Sequence, residues 1–152
     1  MSAIQASSSF APVLIVAGPT ASGKSALALD LAEAFDGVVI NADSMQVYKE
    51  LRVLSARPDD GEIARAPHRL YGVLSGREAC SAGKWREMAM AEIADCHASG
   101  KLPIITGGTG MYLNALTEGI APIPDIPARI RDQVTNELEE LGHAAFFAKL
   151  QA

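Results

Sequence analysis

The chain of 152 residues contains only two cysteines, three histidines and few aromatic residues, and each scarcity excludes a class of protein. Cys80 and Cys96 form no CxxC or CxxH pattern, which predicts reduced thiols rather than a metal-binding or redox pair. The histidines are scattered along the chain, so no zinc-ligand spacing is present. The sequence therefore predicts neither a disulfide framework nor a zinc site.

The chain also lacks long apolar runs and an excess of positive charge. Its longest apolar runs have the length of a strand, and its first residues show neither the basic start nor the apolar centre of a signal peptide. We therefore predict a cytoplasmic protein without a membrane segment, with a disordered leader over residues 1–12. The net charge of −5 is unusual for a protein whose main surface binds nucleic acid. Any RNA contact is expected to be local or supplied by another segment.

What the chain does contain is an alternation of short apolar runs with helix-forming segments. The runs at 13–17, 38–41 and 102–106 are rich in β-branched residues or bounded by turn signals, and they predict buried parallel strands. A further strand is predicted at 68–73. A helix is predicted over 24–35, with Leu27, Leu31 and Ala34 at near-helical spacing. The pattern predicts one α/β domain from residue 13 to residue 152, with a P-loop NTPase-like parallel sheet flanked by helices.

The second half of the chain continues this pattern. A short helix is predicted before Pro67, and Ser81 is expected to cap a helix that runs to about Ser99 and is closed by Gly100. A glycine turn after residue 106 leads into another helix, which Gly119 ends. After the proline-rich segment 121–127, a charged helix and the start of a further helix are predicted.

The most informative stretch is GPTASGKS, which follows the first predicted strand and opens the first predicted helix. This spacing is typical of a loop whose backbone N–H groups bind phosphate at a helix N-terminus. Lys24 would place a positive charge on the phosphate oxygens, and the hydroxyl of Ser25 would ligate Mg²⁺. The predicted phosphate-binding residues are Gly18, Pro19, Thr20, Ala21, Ser22, Gly23, Lys24 and Ser25.

A nucleotide hydrolase with such a loop normally carries an acidic residue at the end of a second apolar strand. The run LPIIT ends instead in Thr106 and two glycines, without a carboxylate. Asp43, at the end of the run at 38–41, is the remaining candidate. It could act as a metal partner or a general base, or serve only as a turn residue.

Four segments in order resemble the tRNA dimethylallyltransferase family: GPTASGKS, NADSMQVYKEL, APHRLYGVL and LPIITGGTGMYLNALTEG. The resemblance extends over nearly the whole chain from Val13 onward. It implies a cytoplasmic, monomeric enzyme that transfers a dimethylallyl group from dimethylallyl diphosphate to N6 of the adenosine 3′ of the anticodon in tRNA. The phosphate loop and Mg²⁺ would then hold the diphosphate of the donor, and no acidic residue for nucleotide hydrolysis would be needed.

The resemblance also assigns roles to individual residues. Asp43 matches the general base that removes the proton from the attacking amine, and Thr20 matches a residue beside the reacting diphosphate. Six positions match contacts to the anticodon stem-loop of tRNA: Asp43, Ser44, Met45, Gln46, Thr109 and Arg131. Arg129 lies two residues before Arg131 and is the alternative for the last contact. Trp85 and Met88, at helical spacing, are expected in the core, whereas Tyr112 could be core or functional.

Members of the family are considerably longer, with a helical insertion and a basic C-terminal segment. The resemblance therefore implies that this chain matches the N-terminal part of a family member, and that alone it binds diphosphate weakly and transfers little. Three other functions remain open at this point. The chain could be an adenylate isopentenyltransferase acting on free adenine nucleotides, a small-molecule P-loop kinase with its arginines around residues 52–69, or an inactive diphosphate-binding fragment.

Overall fold

The computed structural model describes residues 11–121 and 126–151, so the predicted leader lies almost entirely outside the described residues. The described chain falls into two compact units that divide after Ile120, at the start of the proline-rich segment, whereas the sequence predicts one domain. The helices and strands are β1 (Leu14–Ala17), α1 (Lys24–Ala34), β2 (Gly37–Asn41), a 3₁₀ turn (Lys49–Leu51), α2 (Asp60–Arg65), β3 (His68–Arg69), α3 (Ala82–Ala98), β4 (Leu102–Gly107), α4 (Gly110–Thr117) and α5 (Ala128–Gln151).

The first unit is built on a four-stranded parallel sheet with the order β1-β4-β2-β3. Thr106 on β4 pairs with Val16 on one side and with Asn41 on the other. Because all strands run in the same direction, the segments that follow β1, β2 and β4 meet at one edge of the sheet. The predicted α/β class is confirmed, and this edge is where the sequence predicts the site.

Each face of the sheet buries its own apolar cluster. On one face Ala28, Leu29 and Ala32 of α1 pack against Val39 and Ile104. Of the predicted stripe on α1, Leu31 packs against this cluster, whereas Leu27 is 52% exposed and Ala34 is also exposed. Ala28 and Ala32, together with Leu29, form the buried side of the helix.

The other face buries Trp85 of α3, which is fully inaccessible to solvent. Its ring stacks on Tyr112 of α4 at 4.6 Å between centroids, and its Nε1 donates a hydrogen bond of 2.8 Å to the carbonyl of Asn41. The core positions of Trp85 and of the half-buried Met88 are confirmed, and Tyr112 also belongs to the core. This cluster fixes the end of β2.

The strand predicted at 68–73 is mostly absent. Only His68 and Arg69 pair with β2, because Leu70 and Gly72 adopt left-handed backbone angles with φ of 62° and 59°. The N–H of Gly72 donates to the carbonyl of Gln46 at 2.8 Å. The segment therefore turns toward the loop after β2 rather than continuing along the sheet.

The helix boundaries follow the predicted signals. The hydroxyl of Ser81 caps α3 by accepting a hydrogen bond from the N–H of Lys84, and Gly100 and Gly119 follow their helices with φ of 71° and 84°. In the second unit, Gly142 breaks α5 with φ of 72° and ψ of 164°, which separates the two predicted helices. No helix among the described residues is both long enough and apolar enough to cross a membrane.

Candidate functional site

The phosphate loop connects the end of β1 to the start of α1. Gly23 precedes α1 with φ of 82° and ψ of 5°, a left-handed conformation that favours glycine. Ala21 also has a positive φ, of 61°, and the N–H of Ser22 donates to the carbonyl of Pro19 at 3.4 Å. The loop thus turns sharply into a helix whose first N–H groups have no partner within the helix. This arrangement is suited to binding an anion.

Two side chains of the first turn of α1 complete the loop. The Nζ of Lys24 lies over the loop and donates a hydrogen bond of 3.0 Å to the carbonyl of Pro19. Ser25 is exposed and contributes its hydroxyl to the same cavity as Lys24. One cation and one hydroxyl therefore stand beside the anion-binding backbone.

Asp43 follows β2 at the neighbouring position of the sheet edge. The buried side chain of Asn41 holds this segment: its Oδ1 accepts from the N–H of Asp43 at 2.8 Å, and its Nδ2 donates to the carbonyls of Asp43 and Leu70 at 2.9 and 3.1 Å. Oδ1 of Asp43 accepts from the N–H of Met45 at 2.8 Å. The backbone around the carboxylate is therefore fixed from both sides.

The turn after β4 supports the same segment. The hydroxyl of Thr109 accepts from the N–H of Ser44 at 3.0 Å, and the N–H of Thr109 donates to the carbonyl of Ala42 at 3.3 Å. A Cβ at Gly107 would lie 2.2 Å from the carbonyl oxygen of Ala42. Only glycine allows this approach, so the GGTG sequence serves to hold the segment that carries Asp43.

Gln46 and Tyr71 line the same cavity as the phosphate loop and Asp43. The Nε2 of Gln46 donates to the carbonyl of Ser55 at 2.8 Å, which ties the loop after the 3₁₀ turn to the Asp43 segment. Burial raises the pKa of the Tyr71 phenol, and the nearby charges of Glu62 and Asp43 raise it further. Tyr71 is therefore a neutral hydrogen-bonding group at physiological pH.

These parts enclose one cavity of about 470 Å³. It is lined by Thr20, Ala21, Ser22, Gly23, Lys24, Ser25, Ala26, Asp43, Gln46, Ser55, Ala56, Tyr71, Thr106 and Gly107. The structure thus brings Thr20, Lys24 and Ser25 of the phosphate loop together with Asp43 and Gln46. A volume of this size is typical of small-molecule sites.

Other predicted residues lie beside the cavity or away from it. The N–H of Ser44, the residue after Asp43, donates a hydrogen bond to the Thr109 hydroxyl. Met45 on the same segment is 46% exposed. Gly18 and Pro19 shape the loop without lining the cavity. Arg131 lies in the first turns of α5, in the second compact unit, so its contact with RNA stays a prediction.

Six cavity residues were not among the predicted site residues: Ala26, Ser55, Ala56, Tyr71, Thr106 and Gly107. Tyr71 falls inside a segment that the sequence predicts to be a strand, and its position depends on the left-handed turn at Leu70. Thr106 is the penultimate residue of β4 and stands where the sequence analysis looked for a carboxylate and found a hydroxyl. The strand order would have pointed to Thr106, because β4 lies next to β1.

Comparison with known proteins identifies the family. The family model described as IPP transferase matches residues 46–152. A tRNA dimethylallyltransferase of Rhodospirillum rubrum is 55% identical over 145 residues, which cover 95% of this chain and 44% of that protein. A protein of the same name from Paramagnetospirillum magneticum is 56% identical over 139 residues, which cover 91% of this chain and 44% of that protein. The chain therefore spans less than half the length of these curated relatives.

Solved structures give the same result. The full-length tRNA isopentenylpyrophosphate transferase of Bacillus halodurans superposes with a TM-score of 0.72 and 29% identity, over 88% of this chain and 44% of that chain. A eukaryotic dimethylallyltransferase acting on tRNA superposes with a TM-score of 0.72 and 32% identity, over 80% of this chain and 31% of that chain. Together with the family-model match over most of its length, these likenesses show that the chain belongs to the IPP transferase family.

Proposed function

We propose that the protein of which this sequence is a part transfers a dimethylallyl group from dimethylallyl diphosphate to N6 of the adenosine 3′ of the anticodon in tRNA. The observation that supports the proposal is the shared cavity of about 470 Å³, whose lining includes Lys24, Ser25 and Asp43. Relatives that are more than half identical to the chain bear the name tRNA dimethylallyltransferase. The residues proposed to bind the donor, Lys24 and Ser25, and the residue proposed to act on the acceptor, Asp43, thus line one cavity.

The donor side is the phosphate loop. When the allylic C–O bond breaks, negative charge grows on the departing diphosphate. The Lys24 ammonium group and the N–H groups at the start of α1 are placed to stabilise that charge. The described residues contain no group of three His, Cys, Asp or Glu side chains that could cage a metal. The Ser25 hydroxyl is the group proposed to hold Mg²⁺, which would neutralise part of the charge on the diphosphate.

The acceptor side is the segment that follows β2. The exocyclic amine of adenine is a weak nucleophile because its lone pair is delocalised into the ring, and removal of its proton during attack strengthens it. Asp43 is the one carboxylate that lines the cavity among the described residues, and it is proposed as the general base. Thr20, across the cavity, is proposed to contact the reacting diphosphate.

The RNA contacts are proposed from the same segment. An adenine must leave the anticodon-loop stack to enter such a cavity, so the protein needs groups that hold its edges. Gln46 lines the cavity, whereas the exposed Met45 offers an apolar surface next to it. Ser44 and Thr109, which are joined by a hydrogen bond, are proposed as further tRNA contacts. Arg131 on α5 is proposed as a contact to an RNA phosphate.

The position of the arginines weakens the kinase alternative. A kinase lid needs arginines that can reach a transferring phosphate. Arg52 bonds to Asp60 at 2.7 Å and Arg65 bonds to both Asp30 and Glu33, at 2.9 and 2.6 Å. The side chain of Arg57 donates to backbone carbonyls of Tyr48 and Lys49. None of these arginines lines the cavity among the described residues.

The test is ligand preference. A non-hydrolysable analogue of dimethylallyl diphosphate and, separately, ATP are titrated into the protein by calorimetry, each with and without Mg²⁺. We expect tighter, Mg²⁺-dependent binding of the allylic diphosphate. A clear preference for ATP would contradict the donor assignment and favour a kinase. An Asp36→Asn variant serves as the control, because Asp36 does not line the cavity and the change should leave the affinity for the donor unchanged.

A further inference from the structure

Near the end of β4, Thr106 lines the same cavity as the phosphate loop. Thr106 stands between Val16 of β1 and Asn41 of β2, and its carbonyl accepts a hydrogen bond of 2.7 Å from the N–H of Ala42. Since side chains alternate along a strand, Thr106 lies on the same face of the sheet as Ile104, the face that packs against α1. Thr106 is among the residues that line the cavity, together with Lys24 and Ser25.

The hydroxyl of Thr106 has no hydrogen-bond partner. Thr106 is 3% exposed, and among the described residues its Oγ1 and Nε of Arg57 are the buried side-chain polar atoms without a partner. Such an atom costs stability, because it has lost water without gaining a protein contact. Of the two residues, Thr106 lines the cavity and Arg57 does not. A buried polar atom at the wall of a ligand cavity is most simply explained by a partner that arrives with the ligand.

The position of Thr106 indicates what that partner is. In nucleotide hydrolases with this loop, the strand beside the loop strand ends in an acidic residue that holds Mg²⁺ through water. Here β4 is hydrogen-bonded to β1, and Thr106 occupies that end. A hydroxyl can accept a hydrogen bond from a metal-bound water as a carboxylate does, without adding negative charge opposite a diphosphate.

We propose that the Thr106 hydroxyl is a positioning group for the metal side of the site and hydrogen-bonds a water on the Mg²⁺ that accompanies the diphosphate. This inference rests on the proposed function, because it requires a Mg²⁺–diphosphate ligand. It assigns Thr106 a role separate from that of Ser25, which would contact the metal directly.

The experiment compares the unchanged protein with Thr106→Val and Thr106→Ser. Calorimetry measures the affinity for inorganic pyrophosphate with Mg²⁺ and with EDTA. The valine keeps the β-branched shape, so we expect about tenfold weaker binding with Mg²⁺ and less than about twofold change with EDTA. The serine keeps the hydroxyl and should bind within about threefold of the unchanged protein. Without ligand, the melting temperature of the valine variant should be equal or higher, because an unpaired buried hydroxyl has been removed.

Each other outcome overturns the inference in a recognisable way. Unchanged affinity of the valine variant with Mg²⁺ would mean that the hydroxyl has no role in binding. An equal loss with Mg²⁺ and with EDTA would mean that Thr106 contacts the phosphate and not the metal water. A lower melting temperature without ligand would show a structural role. If the unchanged protein itself fails to bind pyrophosphate with Mg²⁺, the proposed donor site fails as well, which distinguishes the two failures.

Discussion

The two loops that meet at the cavity are held in different ways. The phosphate loop is shaped by backbone conformation, with left-handed angles at Ala21 and Gly23, and the Nζ of Lys24 is bonded to the loop's own carbonyl at Pro19. The segment around Asp43 is instead held by side chains, from Asn41 two residues before it and from Thr109 elsewhere in the chain. The bond from Ser44 to Thr109 joins residues 65 positions apart.

This difference separates two tasks. An anion can be bound by a local turn and a helix N-terminus, so the phosphate loop needs little support from the rest of the fold. The general base proposed at Asp43 would have to stand at a defined place relative to a second substrate, and its segment is fixed by a long-range contact to Thr109 as well as by Asn41. Changes in the two loops should therefore have separable effects on donor binding, on transfer and on stability.

The largest expected effect is on transfer, from Asp43→Asn. The amide cannot accept the proton of the attacking amine, so we expect the rate to fall about 10²- to 10⁴-fold. Single turnovers with the protein in excess over a donor and an anticodon stem-loop make even a slow transfer measurable. Asp36→Asn, at the opposite edge of the sheet, is the matched control and should transfer at the unchanged rate. An Asp43 variant with full activity would exclude the general-base role.

The next effect is on stability, from Gly107→Ala. The added Cβ would lie 2.2 Å from a backbone oxygen of Ala42, which cannot move without displacing the Asp43 segment. We expect the free energy of unfolding to fall by about 3 kcal/mol in urea titrations. Gly110→Ala is the control, because a Cβ there meets nothing within 4 Å at the start of α4 and should be neutral or slightly stabilising. Equal stabilities of the two variants would contradict the close approach.

Lys24→Met tests the phosphate loop alone. Loss of the ammonium group should weaken binding of Mg²⁺-pyrophosphate about thirtyfold, because a charged contact to the anion disappears. The free energy of unfolding should change little, since Lys24 bonds only to its own loop. Lys101→Met removes a charge paired with Asp36 on the surface, and its affinity for pyrophosphate should match that of the unchanged protein. A comparable loss in both variants would indicate a nonspecific effect of net charge.

The smallest effect should come from Thr109→Val. The hydroxyl of Thr109 makes no capping bond within α4, but it accepts from the N–H of Ser44. Its removal should lower the free energy of unfolding by about 1 kcal/mol while pyrophosphate binding stays unchanged. Thr109→Ser keeps the acceptor and should recover most of the loss. If serine is as destabilising as valine, packing of the methyl group and not the hydrogen bond explains the effect.

The difference between local and long-range support also explains which parts of the site the sequence predicts. The phosphate loop follows from local spacing, and Asp43 from its place after an apolar run, because both depend on neighbours in the chain. Tyr71 could not be placed in this way. The left-handed angles at Leu70 and Gly72 end β3 early and bond Gly72 to Gln46, a contact that no local pattern reveals. Thr106 was visible as the end of a strand, but its place beside β1 depends on the strand order.

The sequence also predicts where the helices and strands lie better than it predicts which of their residues are buried. The helix predicted over 24–35 has Leu27 at apolar spacing, but Leu27 is exposed and Ala28, Leu29 and Ala32 are buried instead. Helix ends at Ser81, Gly100 and Gly119 were predictable because capping is local chemistry. The role of Arg131 remains a prediction that ligand-binding experiments on α5 can address.

The buried indole of Trp85 has a practical consequence. It is the chain's single tryptophan, it stacks on Tyr112, and its Nε1 is bonded to the carbonyl of Asn41, two residues before Asp43. Emission from this fluorophore therefore reports on one defined place, the end of β2. A red shift on loosening of that strand would reveal damage to the base side of the site before the rest of the molecule unfolds, without any attached dye.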